Sequence, residues 1–169
     1  MNEVYEFRSC FALGNQARSP YSNSVTLGFN KSSQAYIIKM QVNSRYMSVN
    51  GQTLEVDPGF ATAPTIINSR TMVPIRAVVE AMGGVAGWDE ETRQVTLDAN
   101  GVAVVMFIGS TSYYVSGHPL TMDTAPVIKD GRTLIPVRFA AEALGCGVGW
   151  NPDTQEITIT FDPNGQPAA

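Results

Sequence analysis

Ile75, Val78, Val79 and Met82 stand at i, i+3, i+4 and i+7, and Val137, Ala140, Ala141 and Leu144 repeat the spacing 62 residues further on. An apolar stripe at that period predicts a short amphipathic helix in each place. Pro74 and Pro136 mark the expected starts, where a missing amide hydrogen costs little, and Gly83 and Gly145 mark the ends, where glycine takes the left-handed conformation. Around the helices the apolar period falls to two. Residues 36–42 and 102–108 are apolar, strand-forming runs, and Asn50-Gly51 and Ser116-Gly117 supply the turns of following hairpins. Residues 66–73 and 127–135 read as further extended pairs, turning at Asn68-Ser69 and Asp130-Gly131. Beyond each helix, residues 88–92 and 150–154 read as turns between two strands, Asp, Asn and Pro being turn formers.

The two element series coincide because the sequence itself is duplicated. Residues 63–98 and 125–160 align without a gap at an offset of 62, with 14 of 36 positions identical. Chance matching at background frequencies gives about two. Upstream, Met40, Val49, Gly51, Leu54 and Asp57 align with Met106, Val115, Gly117, Leu120 and Asp123 at an offset of 66, which places four extra residues of the first copy between Asp57 and Pro64. The boundaries predicted are an N-terminal β arm over 1–35, a first repeat over 36–98, a second over 102–161 and a polar tail over 162–169. A unit of some 60 residues buries only about 60% of its unfolded surface. The two copies are therefore expected to share a core or pack face to face.

The arm alternates too. Tyr5, Phe7, Phe11 and Leu13, then Val25, Leu27 and Phe29, predict strands over 4–13 and 24–30 with no counterpart before the second repeat. Their side chains need an apolar surface from the body or from another chain. Pairing with a neighbour's sheet edge would make the protein a homo-oligomer through the arm. Cys10 in the arm and Cys146 just past the second helix are the only cysteines. They can form an intrachain disulfide, a bridge between chains, or leave a buried thiol.

Composition narrows the function classes. The 169 residues are 44% hydrophobic and 15% charged, with a formal net charge of −4. That balance suits a packed domain and argues against nucleic acid, whose phosphates call for clustered Lys and Arg. No apolar run approaches the ~18 residues of a membrane span. The first residues, MNEVYEFRSCFALGNQ, lack the basic and apolar regions of a signal peptide.

No catalytic constellation is visible. The single histidine, His118, lies in a Gly-His-Pro turn, and no phosphate loop, dinucleotide loop or zinc spacing occurs. No catalytic residue, cofactor or metal ligand is therefore expected. The candidate ligand or partner surface is Trp88, Trp150, Arg76 and Arg138, shared by both copies. An indole beside a hairpin can stack on a sugar ring or cover one end of the core, and occurrence in the same frame twice makes packing the simpler account. Arg76 with Glu80, and Arg138 with Glu142, are either a charged recognition site or i,i+4 ion pairs worth only about 0.3–0.5 kcal/mol.

The runs RTMVPIRAVVEAMGGVAGWDEETRQVTL and RTLIPVRFAAEALGCGVGWNPDTQEITI resemble the N-terminal domain of copper amine oxidases, a stalk-like module also found in secreted and wall-associated proteins of Gram-positive bacteria. The resemblance covers roughly residues 36–161. It implies an α+β fold, a tandem repeat in which each unit is an antiparallel sheet curled round one short helix. It also implies an extracellular or cell-wall location and a non-catalytic role as spacer, docking or assembly element, with another protein or a wall component as partner. The alternatives are a module binding wall polysaccharide or peptidoglycan, and a self-assembling surface or filament subunit. The copper and quinone of the oxidase core are not implied: copper needs several imidazoles, and none of the six tyrosines follows an Asn and precedes an acid.

Overall fold

The computed structural model describes residues 35–162. The predicted arm strands, Cys10 and all but the first residue of the tail lie outside them. The order is five strands, a helix and two strands, and then the same again. The first series is β1 (Tyr36–Gln41), β2 (Tyr46–Val49), β3 (Gln52–Glu55), β4 (Thr65–Ile67), β5 (Arg70–Val73), α1 (Arg76–Ala81), β6 (Val85–Asp89) and β7 (Gln94–Ala99). The second is β8 (Val102–Phe107), β9 (Ser112–Val115), β10 (His118–Thr121), β11 (Val127–Lys129), β12 (Arg132–Pro136), α2 (Val137–Ala143), β13 (Gly147–Asn151) and β14 (Glu156–Phe161). The class is α+β, mostly antiparallel sheet with two short helices. Gly83 and Gly145, at φ +76° and +81°, end the helices by donating their amides to the carbonyls of Glu80 and Glu142.

The pairing of strands departs from one sheet per repeat. The described strands form two five-stranded sheets, β13-β14-β1-β2-β3 and β10-β9-β8-β7-β6, and a four-stranded sheet, β11-β12-β5-β4. Each repeat contributes to all three. The reason is a turn at the repeat boundary: Asn100 (φ 59°) and Gly101 (φ 73°) make a two-residue loop whose positive φ angles match hairpin twist, so β7 pairs with β8 across the boundary. That pairing is local and cheap to close, whereas pairing β7 with β1 would span the whole repeat. The counterpart contact joins the two ends, Tyr36 lying opposite Phe161.

In the central sheet Val73 lies opposite its own counterpart, Ile135. A two-fold pseudo-axis therefore passes between them, and the β1–β14 pairing recurs as β8–β7 with the roles of the repeats exchanged. The inner faces of the sheets and both helices build one core, with Ile38, Leu97, Val104, Ile135 and Ile159 wholly buried. Each such side chain contributes about 1.5–3 kcal/mol.

Candidate functional site

Two grooves on the surface are built from equivalent residues. One is lined by Trp150 of β13, Pro136, Val137 and Arg138 at the start of α2, and Ile66, Arg70 and Thr71 of the β4–β5 hairpin. The other is lined by Trp88 of β6, Pro74, Ile75 and Arg76 at the start of α1, and Ile128, Arg132 and Thr133 of the β11–β12 hairpin. Each groove thus takes its Trp and helix Arg from one repeat and its hairpin from the other. The structure brings Trp88 together with Arg76, and Trp150 with Arg138, and keeps the two pairs in separate grooves.

Trp88 and Trp150 belong to strands rather than to the turns predicted for them. Each faces the strand partner Val95 or Ile157, whose side chain is buried. They are 39% and 38% exposed, so each indole covers the core with one part and lines a groove with another. The turn that follows is held the same way twice. Asp89 Oδ1 accepts the amides of Glu91 and Thr92 at 2.9 and 3.2 Å, and Asn151 Oδ1 accepts those of Asp153 and Thr154 at 3.0 and 3.3 Å. Hydrogen bonds from Thr92 and Glu91 hold the Asp89 carboxyl below its ordinary pKa.

The helix arginines are exposed, and the expected i,i+4 pair forms in α2, with Arg138 Nε 3.9 Å from Glu142 Oε1. No such pair joins Arg76 to Glu80 among the described ion pairs. Two further arginines, Arg70 and Arg132, are outside the candidate set drawn from the sequence and make the stronger contacts. Arg132 donates Nε to Asp57 Oδ2 at 2.7 Å and Nη2 to Asp57 Oδ1, a two-pronged pair. Arg70 donates both Nε, at 2.8 Å, and Nη2 to the single oxygen Asp123 Oδ2. These pairs are images of each other across the pseudo-axis. The signal was the Arg-Thr dipeptide, present in both copies, whose partner in the other repeat no spacing reveals.

Their surroundings differ. Asp57 is 4% exposed, and the Phe60 ring, contributed by the four-residue insertion, lies 4.0 Å from the Arg132 guanidinium carbon. Asp123 and Arg70 lack such a cover, with side chains 44% and 46% exposed. The Arg70 hydrogen bond holds the Asp123 carboxyl below its ordinary pKa.

His118 begins β10 rather than sitting in a turn, and it is exposed. Cys146 is a buried free thiol, its Sγ 3.4 Å from Met82 Sδ, and burial pushes its pKa up to about 11. That is the reverse of an activated cysteine. Among the described residues no cluster of three or more His, Cys, Asp or Glu side chains is placed to hold a metal ion. No described helix is long and apolar enough to cross a membrane.

The sequence profile of the copper amine oxidase N-terminal domain matches residues 57–159 in one continuous stretch, more than half of the chain. The chain belongs to that family. The matched stretch runs from Asp57 to Ile159 and contains both arginine–aspartate pairs and every groove residue named above; β1 to β3 fall outside it. The family is that of the non-catalytic N-terminal domain. A protease inhibitor of Brevibacillus choshinensis is 26% identical over 111 residues, which cover 66% of this chain and 33% of that protein. The chain spans about one third of that relative's length.

Proposed function

We propose that this member of the copper amine oxidase N-terminal domain family is a docking module of the cell envelope or the extracellular space of a Gram-positive bacterium, holding a partner protein without chemistry of its own. The observation that carries the reading is the pair of equivalent grooves, each with an exposed indole, an exposed isoleucine and arginines from both repeats. Aromatic and arginine side chains around a concave surface are the residue types that dominate protein recognition. A relative named as a protease inhibitor is in keeping with this class, because inhibition of that kind is the holding of another protein.

Random-peptide display selected on the whole protein tests the reading. Enriched peptides are expected to lose binding to Trp150→Ala or Trp88→Ala variants that keep the parent melting temperature within a few degrees. If the display yields nothing while insoluble peptidoglycan sediments the protein in a Trp-dependent way, the polysaccharide alternative replaces this one.

A second reading, self-assembly, is favoured by a difference between the two five-stranded sheets. The outward face of β8 to β10 carries Val105, Phe107, Tyr114 and Pro119, where the equivalent face of β1 to β3 carries Lys39, Gln41, Ser48 and Thr53. Phe107 and Tyr114 meet edge to face, their centroids 6.4 Å apart. Sedimentation of the parent, of Tyr114→Lys and of a chain lacking residues 1–34 decides it: assembly through this face predicts a concentration-dependent oligomer that Tyr114→Lys dissolves, and assembly through the arm predicts that the deletion does so. A monomer throughout removes both.

A further inference from the structure

We infer that the groove beside β13 receives an extended, acidic and apolar polypeptide segment of a partner protein, which adds as a strand to the edge of β13 that no described strand covers. The inference rests on the docking reading and names its ligand. Among the described strands β13 is the outermost of its sheet, so alternate amides and carbonyls point away from β14 with no described strand to receive them. Beside that edge stand the half-exposed Trp150 and, across the groove, Ile66 at 45% exposure. These two can flank an apolar side chain of an incoming strand.

Charge separates this groove from its counterpart. Arg70 and Arg138 line it and no carboxylate does, whereas Asp57 and Glu90 line the groove beside β6. The position equivalent to Glu90 is Pro152. In a chain of net charge −4 the β13 groove is a local site for carboxylates. Arg138 is held only by an exposed ion pair, its Nε 3.9 Å from Glu142, the kind that contributes little. The glycine ahead of the indole points the same way. A Cβ on Gly149 would meet the Thr158 side chain no closer than 3.8 Å, and the residue does not have positive φ. The fold does not require glycine there, and a bare strand position commonly marks the approach of another backbone.

The test titrates the ¹⁵N-labelled whole protein with a capped octapeptide alternating Val and Tyr with Glu, with its Lys-for-Glu counterpart, and with two versions N-methylated at alternate residues. Expected are shifts of the Trp150 indole and the β13 amides, binding weakened about tenfold by Arg138→Gln or by Lys for Glu, as fits loss of one charge-assisted contact, and one methylation phase that abolishes binding while the other preserves it. The amide spectrum reports in the same sample whether Arg138→Gln is folded. Equal binding of the Lys peptide, equal binding of both methylated phases, shifts confined to Trp88 and β6, or no binding of the Glu peptide each overturns the inference. Peptides enriched by display would then still uphold docking, whereas an empty display selection removes docking as well.

Discussion

Arg132→Ala is expected to lower the unfolding free energy by about 2–4 kcal/mol, whereas the equivalent change Arg70→Ala is expected to cost much less. Both remove one guanidinium from an arginine–aspartate pair that links the repeats. The difference lies in what is left behind. Without Arg132, Asp57 is left 4% exposed with no guanidinium partner, and burial of an unpaired charge is expensive. Arg132 itself is 28% exposed, so the value is set below that of a fully buried pair. Without Arg70, Asp123 is hydrated where it stands, and only a screened surface pair is lost. Urea denaturation at pH 7 of both variants, with unchanged m-values, measures the contrast. Equal costs would show that the Phe60 cover and the burial of Asp57 do not matter. Asp57→Asn is expected to follow Arg132→Ala, because it leaves Arg132 under Phe60 with a neutral partner.

Cutting the chain between the repeats is expected to abolish the fold of each half. Residues 36–99 alone retain β1 to β3 without β14, and β6 and β7 without β8, so both five-stranded sheets lose their central pairings. Circular dichroism of either half alone should show no cooperative melt. Mixed, the halves should recover the spectrum in a concentration-dependent way, since covalent linkage supplies an effective concentration in the millimolar range. The converse is a circular permutant opened between Asn100 and Gly101, with residue 161 joined to 36 through Asn-Gly. It should fold, because Tyr36 stands opposite Phe161 as Val102 stands opposite Ala99. A cooperative melt from residues 36–99 alone would show that one repeat suffices, and the interlocked sheets would then be incidental to stability.

Both predictions concern contacts that join residues far apart in the chain, and these divide what was legible from what was not. The amphipathic stripes, the helix-starting prolines, the terminating glycines and the turns at Asn50-Gly51, Asn68-Ser69, Ser116-Gly117 and Asp130-Gly131 all act within a few residues, and the structure has helices and hairpins there. The family pattern was legible for the same reason, being carried by local motifs, and the profile match covers those motifs. Asn100-Gly101 is as strong a hairpin signal as any of these. It lies between the aligned segments, at the repeat boundary, and is the turn that ties them together. Trp88 and Trp150 stand in the same frame of both copies, but sequence spacing does not place them in two grooves, because the opposing Ile and Arg come from the other repeat.

The sequence by itself determined the local elements and their duplication, since both depend on residue type and short spacing. Tertiary structure decided which strands became neighbours. An antiparallel edge accepts any strand of compatible register and burial, so the sequence of one repeat does not say whether β7 closes on its own β1 or on the next repeat's β8. The short Asn100-Gly101 loop settles that choice by closing at the lowest entropic cost. The pseudo-axis, the exchanged arginine–aspartate pairs and the two composite grooves all follow from it.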